Sequence, residues 1–387
     1  MDADAQSAAP SRDEVLSWMA LKGAEREVLY RRADAVRRER KGDEVFVRGI
    51  VEFSNICAND CLYCGIRRSN EKVRRYRLPA DEILDVARKM TGWRQTTVVL
   101  QAGEAPSAAG DRELGEIIRR IKAGTGLAVT VSVGNRPREV YAHWRACGMD
   151  RYLLRFETSD PAIFARLHPD CTLDERLRCL GDLRELGVQT GGGFMIGVPG
   201  ETPGVLADNL LLCRTLDLDM VGIGPYIPHP DTPLGAEPNA YADDPEMFFT
   251  AVAALRLVHP RAHIPATTAF DAVFPGTGRN LALQRGANVF MPNNTPGERR
   301  GDYLLYPNKP CVDENAGQCA ACVVLRLRSL GRTIGEGPGN AETSGNVRIP
   351  HLPQSKGKDG ITGWTGLGET DERRKAEGGR TILPKAN

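Results

Sequence analysis

The chain has 387 residues, with 51 lysines and arginines against 50 aspartates and glutamates, which gives a formal net charge of +1. Without a net basic charge, the protein as a whole is not expected to attract nucleic acid or an anionic membrane surface. Hydrophobic residues make up 41% of the chain. No apolar run approaches the roughly 18 residues of a membrane-spanning helix, so the sequence excludes a transmembrane protein as well as a disordered one.

The beginning of the sequence and its cysteine usage indicate the compartment. The first twelve residues are small and polar and lack the charged start and apolar core of a secretory signal, so the expected compartment is the cytoplasm. Ten cysteines are too sparse for a disulfide scaffold in a chain of this size. In a reducing compartment they indicate buried thiols, metal ligands or catalytic groups.

In chain order, the sequence starts with two helical patterns, at 13–22 and 25–40, within a predicted N-terminal helical segment over 1–44. Apolar, β-branched runs and amphipathic segments then alternate. The predicted strands are 45–53, 97–101, 128–133, 151–156, 191–196, 220–226, 264–268 and 287–291. The predicted helices between them are 81–90, 112–123, 137–146, 173–186, 203–215, 245–259 and 280–285.

This alternation predicts an α/β fold, a complete (β/α)8 TIM-type barrel over residues 45–295, because eight parallel strands close a sheet into a barrel. Residues 296–332 form a predicted C-terminal segment that carries three further cysteines. Residues 333–387 are rich in glycine and polar residues, so we expect a mobile tail there. The alternative is that the tail folds against the barrel through Trp364.

Three cysteines, Cys57, Cys61 and Cys64, follow the first predicted strand within eight residues, on a loop that ends at Gly65. Thiolates at this spacing suit three irons of a cubane iron–sulfur cluster and leave the fourth iron without a protein ligand. An open iron is able to chelate the amine and carboxylate of an amino acid. The alternatives are a zinc knuckle and three buried structural thiols. Zinc sites, however, favour paired Cys-x-x-Cys motifs with a fourth Cys or His nearby.

The Cys-x-x-x-Cys-x-aromatic-Cys pattern after the first strand of a predicted barrel resembles the signature of the radical S-adenosylmethionine (SAM) superfamily. The resemblance implies that Cys57, Cys61 and Cys64 ligate a [4Fe-4S] cluster and that Tyr63 lies beside the adenine of SAM. It also implies that one electron from the cluster cleaves SAM to a 5′-deoxyadenosyl radical. A reductant such as ferredoxin or flavodoxin would then be a partner.

Residues at the ends of the next strands are candidates for the SAM site. Gln101-Ala-Gly103-Glu104 resembles the superfamily's Gly-Gly-Glu element, in which a bare backbone and an acid bind the methionyl amine. On the fourth strand, Arg155 and Glu157 share a face, where opposite charges in a barrel mouth need each other or a ligand. An ion pair that braces the barrel is the alternative. The other candidates for this site are Thr130, Ser132, Arg176, Met195, Met220 and Ile223.

A substrate cavity is expected next to the SAM site. Glycines in the fifth and sixth predicted strands leave room for a ligand inside the barrel. His229, among four prolines, is expected to be a turn residue rather than a catalytic one. No catalytic side chain is assigned beyond the cluster and SAM site. The residues expected to line the substrate cavity are Thr267, Thr268, Met291, Tyr303 and Tyr306.

A longer resemblance runs from residue 53 to residue 322, about seven tenths of the chain, and includes 152–158, 220–232, 264–269 and 303–307. Over this span the sequence is similar to the HydE family of [FeFe]-hydrogenase maturases. The resemblance implies a role in assembling the di-iron subcluster of the hydrogenase H-cluster, on a small iron-cyanide-carbonyl-cysteine substrate and alongside other hydrogenase maturases. Phe156 and Asn135 depart from the family, in which a histidine and an acidic residue are expected at these positions.

The remaining cysteines fall into two groups. The triad Cys311, Cys319 and Cys322 resembles the ligands of an accessory [2Fe-2S] cluster in HydE-like proteins, dispensable for the radical step. The alternative is that these thiols pack under a terminal helix. The other four are expected to be core thiols on helices, and they are Cys147, Cys171, Cys179 and Cys213.

Two other functions remain open on the sequence. The first is a radical SAM amino-acid mutase similar to methylornithine synthase, which lacks the cysteine triad at 311–322. The second is a non-catalytic iron–sulfur scaffold or carrier, which would explain both cysteine groups without needing Glu104, Arg155 or Glu157. Biotin synthase fits less well, because its barrel strands supply inward-facing cysteines that the strands predicted here lack.

Overall fold

The computed structural model describes residues 9–341. The strands in this range are β1 (Glu44–Ser54), β2 (Thr97–Ala102), β3 (Ala128–Ser132), β4 (Arg151–Leu153), β5 (Gln189–Gly192), β6 (Met195–Ile196), β7 (Met220–Val221), β8 (Gly224–Pro225), β9 (Pro265–Ala266), β10 (Val289–Phe290) and β11 (Thr333–Ile334). The helices in the same range are α1 (Arg12–Ala20), α2 (Gly23–Lys41), α3 (Ala80–Gly92), α4 (Ala108–Thr125), α5 (Arg138–Ala146), α6 (Pro161–Leu167), α7 (Leu173–Glu185), α8 (Pro203–Thr215), α9 (Met247–Val258), α10 (Thr268–Val273), α11 (Gly278–Gln284), α12 (Gly297–Arg300) and α13 (Ala316–Ser329).

The strands form a parallel barrel, as predicted. Neighbouring strands pair in the order β7-β5-β4-β3-β2-β1-β10-β9. The ring closes between its two ends through a parallel bridge from Met220 to His263. At that bridge the Val221 amide donates to the His263 carbonyl at 2.8 Å. The complete (β/α)8 barrel is therefore confirmed.

The fifth and sixth predicted strands are each broken in two. β5 and β7 belong to the main ring, whereas β6 and β8 pair with each other in a separate short sheet. The break falls where Gly193, at φ 137°, approaches Gly222 so closely that a Cβ on Gly193 would lie 2.1 Å from the Gly222 carbonyl oxygen. Only glycine tolerates this contact, so the two glycines set the kink.

The N-terminal helices pack on the outside of the barrel. α1 lies against α8 and α9, and α2 lies against α9. The buried Arg26 side chain pairs with Asp244 at 2.5 Å, and the Tyr30 hydroxyl donates to the Glu246 carboxylate at 3.0 Å. These contacts fix the predicted helical segment to the helical layer, at the beginning of α9.

The first residues after α13 belong to the fold, which corrects the predicted start of a mobile tail at 333. β11 pairs in parallel with β1, and the Arg151 guanidinium donates to the Pro338 carbonyl at 2.7 Å and to the Asn340 side chain at 2.6 Å. Residues 333–341 thus cross the amino-terminal end of the barrel. The rest of the predicted tail, including Trp364, lies outside the described residues.

Within residues 9–341, no helix combines the length and apolar character needed to cross a bilayer.

Candidate functional site

The cysteine loop leaves β1 at the carboxyl end of the barrel, where α/β barrels carry their active sites. Its conformation is fixed by backbone hydrogen bonds, from the Ala58 amide to the Glu104 carbonyl at 2.6 Å and from the Leu62 amide to the Leu167 carbonyl at 3.0 Å. Arg67 also pairs with Asp60 within the loop. Burial opposes the charge on Asp60, but hydrogen bonds from Arg67 and Ser69 lower the pKa of this carboxyl to about 2.

The three thiols of the loop are partly buried and need a cation to ionise. Burial raises the pKa of Cys57 and Cys61, and it raises the pKa of Cys64 to about 12. The charge of bound iron overcomes this penalty, as metals do for thiolate ligands. In the described part of the chain, the compact group of atoms suited to a single ion lies elsewhere, at Cys311, Glu314 and Cys319.

Two glycines bring the end of β2 against the cysteine loop. A Cβ on Gly103 would lie 2.4 Å from the Ile56 carbonyl oxygen and 2.9 Å from the Cys57 Cβ. A Cβ on Gly134, which has φ +82°, would lie 2.0 Å from the Glu104 carboxylate. The backbone is therefore kept free of side chains beside the loop, and Glu104 fits into the space that Gly134 leaves.

Arg155 and Glu157 form the ion pair that the sequence analysis gives as the alternative to SAM binding, yet the pair leaves polar atoms of both side chains without a hydrogen bond. Arg155 Nη2 lies 3.2 Å from Glu157 Oε2. The geometry is not that of a hydrogen bond, and both Glu157 Oε2 and Arg155 Nε are buried without a hydrogen-bond partner. Glu157 also has φ 64°, a conformation that costs a non-glycine residue about 1–3 kcal/mol. Strain together with unsatisfied polar atoms is typical of a ligand-binding position.

Arg176 and Thr130 add further unsatisfied groups. Arg176 Nε and Thr130 Oγ1 are buried without a hydrogen-bond partner, although Thr130 lies in register with Arg151 at the beginning of β4 rather than beside the cysteine loop. Burial opposes the charge on Arg176, but the Glu104, Cys171 and Tyr63 side chains together outweigh burial and raise the pKa of the guanidinium. Arg176 Nη2 also donates to Cys171 Sγ at 3.7 Å. Cys171 is thus half-buried between α6 and α7, which corrects its prediction as a core thiol on a helix.

These groups fit SAM, which presents an amine, a carboxylate and ribose hydroxyls. A buried polar group without a partner costs about 1–3 kcal/mol, so several of them near one loop indicate a polar ligand. Tyr63 and Met195 lie in the same apolar cluster, which provides a surface for an aromatic base. Burial, with the Glu157 carboxylate nearby, raises the pKa of Tyr63, so its phenol stays neutral. Ser132 pairs in register with Gln101 at the adjacent strand ends.

The structure does not place Met220 in this group. Its sulfur accepts a hydrogen bond from Arg48 at 2.9 Å, in an enclosed space that Arg151, Tyr152 and His263 also line. This space lies in the amino-terminal half of the barrel, away from the cysteine loop. Ile223 is fully buried, and its carbonyl accepts from the Thr267 hydroxyl at 2.9 Å.

Part of the expected substrate cavity is built around Tyr303. The Gln101 amide donates to the Tyr303 hydroxyl at 3.3 Å, and the Lys309 ammonium lies 5.1 Å from the centre of the Tyr303 ring. Lys309 pairs with Glu52, and the two side chains are only 7% and 5% exposed. Burial, followed by the Glu52 charge, raises the pKa of Tyr306. The sequence analysis missed Glu52 and Lys309, although a glutamate inside the apolar run of β1 is a signal.

The three other residues expected to line the substrate cavity lie at a helix start or in an apolar cluster. Thr267 caps α10 and Thr268 begins it. Met291 is buried in a cluster with Val99 and Val289.

Two of the three cysteines of the accessory triad lie close together, beside an acidic side chain. Cys311 Sγ, Cys319 Sγ and a Glu314 carboxylate oxygen lie within 4.8 Å of one another. Cys319 faces inward on α13, whereas Cys322, three residues later, is exposed. The Arg300 guanidinium donates to Cys319 Sγ at 3.6 Å. Glu314 joins the two thiols in this group, and no local pattern in the sequence marks that carboxylate as their neighbour.

His168 was also missed by the sequence analysis. It follows α6, is 4% exposed and lies 3.3 Å from Cys61 Sγ through Nδ1 and 3.3 Å from the Tyr63 hydroxyl through Nε2. Burial, with the Arg176 charge nearby, lowers the pKa of His168 to about 3. His229, the expected turn residue, accepts the Asp231 amide at 3.1 Å and packs against Gly65.

Comparison with known proteins agrees with this geometry. Residues 51–212 match the family model of the Radical SAM superfamily. The barrel, the three-cysteine loop and this match define a radical SAM enzyme as the class. The chain is 47% identical over 309 residues to the [FeFe] hydrogenase maturase subunit HydE of Thermotoga maritima, a match that covers 80% of this chain and 87% of the relative. The chain therefore belongs to the HydE family of radical SAM [FeFe]-hydrogenase maturases.

Solved structures support the fold. The crystal structure of methylornithine synthase (PylB) matches with a TM-score of 0.75 at 25% identity, covering 85% of this chain and 95% of that one. The [FeFe]-hydrogenase maturase HydG from Carboxydothermus hydrogenoformans matches with a TM-score of 0.72 at 23% identity, covering 84% and 75%. The second likeness shows a shared fold only.

Proposed function

We propose that this chain cleaves SAM reductively and uses the product in assembling the di-iron subcluster of an [FeFe] hydrogenase. Membership of the HydE family supports the role in assembling the di-iron subcluster. The observation that carries the chemistry is the three-thiol loop, with the unsatisfied atoms of Arg155, Glu157 and Arg176 around it.

Each group of side chains has a distinct task in this proposal. Cys57, Cys61 and Cys64 hold a [4Fe-4S] cluster and leave one iron open. Glu104 takes the amine of SAM, and the remaining polar groups take its carboxylate and ribose. When bound, the cluster and SAM supply one electron and a 5′-deoxyadenosyl radical. The protein orients the reacting atoms and keeps water away from them.

The proposed substrate is a small iron-cyanide-carbonyl-cysteine complex inside the barrel. Burial, with the charge of Glu52 nearby, raises the pKa of Tyr303, so its hydroxyl stays protonated as a hydrogen-bond donor. The Glu52–Lys309 ion pair beside it offers a charged site for an amino-acid group. Phe156 is fully buried against Phe194, which supports an apolar wall where the family has a histidine. The proposed cavity residues remain Thr267, Thr268, Met291, Tyr303 and Tyr306.

The fit for an accessory [2Fe-2S] cluster is poorer. Cys311 and Cys319 gather with the Glu314 carboxylate, while Cys322 is exposed one helical turn further along α13. We derive no step of the reaction from this site.

The proposal implies partners and a compartment. A low-potential reductant such as ferredoxin or flavodoxin would supply the electron, and other hydrogenase maturases would provide the substrate or receive the product. The ten cysteines are all free, which supports a reducing compartment and hence the cytoplasm.

In vitro maturation of a hydrogenase tests the function. A maturation mixture complete except for a HydE protein would receive this chain or its Cys61→Ala variant, with Cys213→Ala as the matched control, because Cys213 is a buried thiol on α8. We expect hydrogen evolution with the native chain and the control, and none with Cys61→Ala. SAM cleavage without hydrogenase activation would favour the amino-acid mutase alternative, and conversion of lysine to methylornithine would establish it.

A further inference from the structure

His168 touches two residues of the cysteine loop at once. Nδ1 lies 3.3 Å from Cys61 Sγ, and Nε2 lies 3.3 Å from the Tyr63 hydroxyl. The His168 ring meets the Tyr63 ring edge-on, with centroids 5.4 Å apart. The histidine is 107 residues away from Cys61 in sequence, so the fold itself creates this contact.

The position of the imidazole is fixed from several sides. The Phe164 ring stacks on it with centroids 4.6 Å apart, and the His168 amide donates to the Phe164 carbonyl at 2.9 Å. On one flank the Leu62 amide donates to the Leu167 carbonyl at 3.0 Å. On the other flank the Asp60 amide donates to the Asp170 carboxylate. The end of α6 and the cysteine loop are therefore joined on both sides of His168.

The direction of the hydrogen bonds follows from the chemistry of the ligand. A thiolate bound to iron carries no proton and can only accept, so Nδ1 must be the N–H that donates to Cys61 Sγ. Nε2 is then the free acceptor of a neutral imidazole and receives the Tyr63 O–H. Each bond polarises the next, which strengthens the donor at the sulfur.

Resting on the proposed [4Fe-4S] site, we propose that His168 is a positioning residue that donates a hydrogen bond to the cluster ligand Cys61 and raises the reduction potential of the cluster. Reduction adds one negative charge to the cluster, and an N–H donor at a ligand sulfur stabilises the more negative state. Tyr63 would then act on the cluster through His168, in addition to contacting SAM.

Three substitutions separate the two hydrogen bonds. His168→Phe keeps a ring to stack on Phe164 but removes both bonds. His168→Asn places an amide N–H near the position of Nδ1 and restores the donor to Cys61. His168→Gln reaches toward Tyr63 without a donor at the sulfur. The matched control is His143→Phe, because His143 is an exposed histidine on α5.

The measurement is an EPR-monitored redox titration of the reconstituted cluster without SAM, at equal iron content. We expect His168→Phe and His168→Gln to lower the ratio of reduced to oxidised cluster about tenfold at a fixed potential, which is about 59 mV for one electron. His168→Asn and His143→Phe should match the native midpoint.

An unshifted midpoint in His168→Phe would overturn the proposal. A midpoint potential of His168→Asn as low as that of His168→Gln would also overturn the proposal. If His168→Phe assembles no cluster, the comparison of His168→Asn with His168→Gln is the test. A native protein that binds no cluster would instead refute the proposed function.

Discussion

The contact between Gly103 and the cysteine loop predicts a specific defect in Gly103→Ala. The new Cβ would lie 2.4 Å from the Ile56 carbonyl oxygen and 2.9 Å from the Cys57 Cβ, and backbone rather than a flexible side chain is the nearest obstacle. The loop cannot withdraw freely, because the Ala58 amide is bonded to the Glu104 carbonyl at 2.6 Å and the Gly103 amide to the Ser54 carbonyl at 3.0 Å. Overpacking of this kind costs about 1–3 kcal/mol.

Urea unfolding of the apo-protein measures the loss of stability that this substitution causes. We expect Gly103→Ala to lower the unfolding midpoint at unchanged slope, by the equivalent of about 1–3 kcal/mol. It should also weaken SAM binding to the reconstituted protein, since the shifted strand end carries Glu104. The control is Gly124→Ala within α4, where a Cβ meets nothing within 4 Å and alanine should stabilise the helix by about 0.5–1 kcal/mol. Native stability and native SAM affinity in Gly103→Ala would refute the reasoning.

Three further predictions concern other sites. Lys309→Met leaves the Glu52 carboxylate buried without its ion-pair partner and should lower the free energy of unfolding by about 3–5 kcal/mol. The double variant Lys309→Met, Glu52→Gln should recover most of that loss. Equal stability of the single and the double variant would contradict this prediction. Cys319→Ala should lower the iron content while sparing SAM cleavage, and loss of cleavage would show that this site serves the radical step. Burial raises the pKa of Glu201 from 4.5 to about 8, so between these pH values Glu201 is protonated in the folded state and ionised in the unfolded state. The free energy of unfolding measured in urea should therefore fall as pH rises from about 4.5 to about 8. Glu201→Gln should remove that dependence, and an identical pH profile in both proteins would count against it.

Local patterns in the sequence predicted the barrel and the cysteine loop well. Each of the first four strands begins within one residue of its predicted run, because each run is rich in apolar and β-branched residues. The breaks between β5 and β6 and between β7 and β8 escaped prediction, since they depend on the approach of Gly193 to Gly222, two glycines from different strands. α6, a seven-residue helix between β4 and α7, was also missed. β11 was missed because its two residues become a strand only by pairing with β1.

At the candidate site, too, residues marked by a local pattern were predicted, and residues that the tertiary fold brings together were not. Cys57, Cys61 and Cys64 are recognisable because their spacing on one loop is itself the signal. His168 and Lys309 reach the site through the tertiary fold, from 107 and 257 residues away from their partners Cys61 and Glu52, and no local pattern marks them.

The accessory triad Cys311, Cys319 and Cys322 rests on a resemblance to HydE-like proteins and stays a prediction. On α13, Cys319 faces inward and Cys322 is exposed. Which side of a helix is covered depends on what packs against it, and sequence spacing alone does not reveal that.

Formation of 5′-deoxyadenosine tests the central claim most directly. The assay would use anaerobically reconstituted protein with SAM and dithionite, and the Cys57→Ala variant beside it. We predict 5′-deoxyadenosine from the native chain and none from the variant. A native protein that carries a complete cluster and forms no 5′-deoxyadenosine would contradict the account and favour a non-catalytic iron–sulfur carrier.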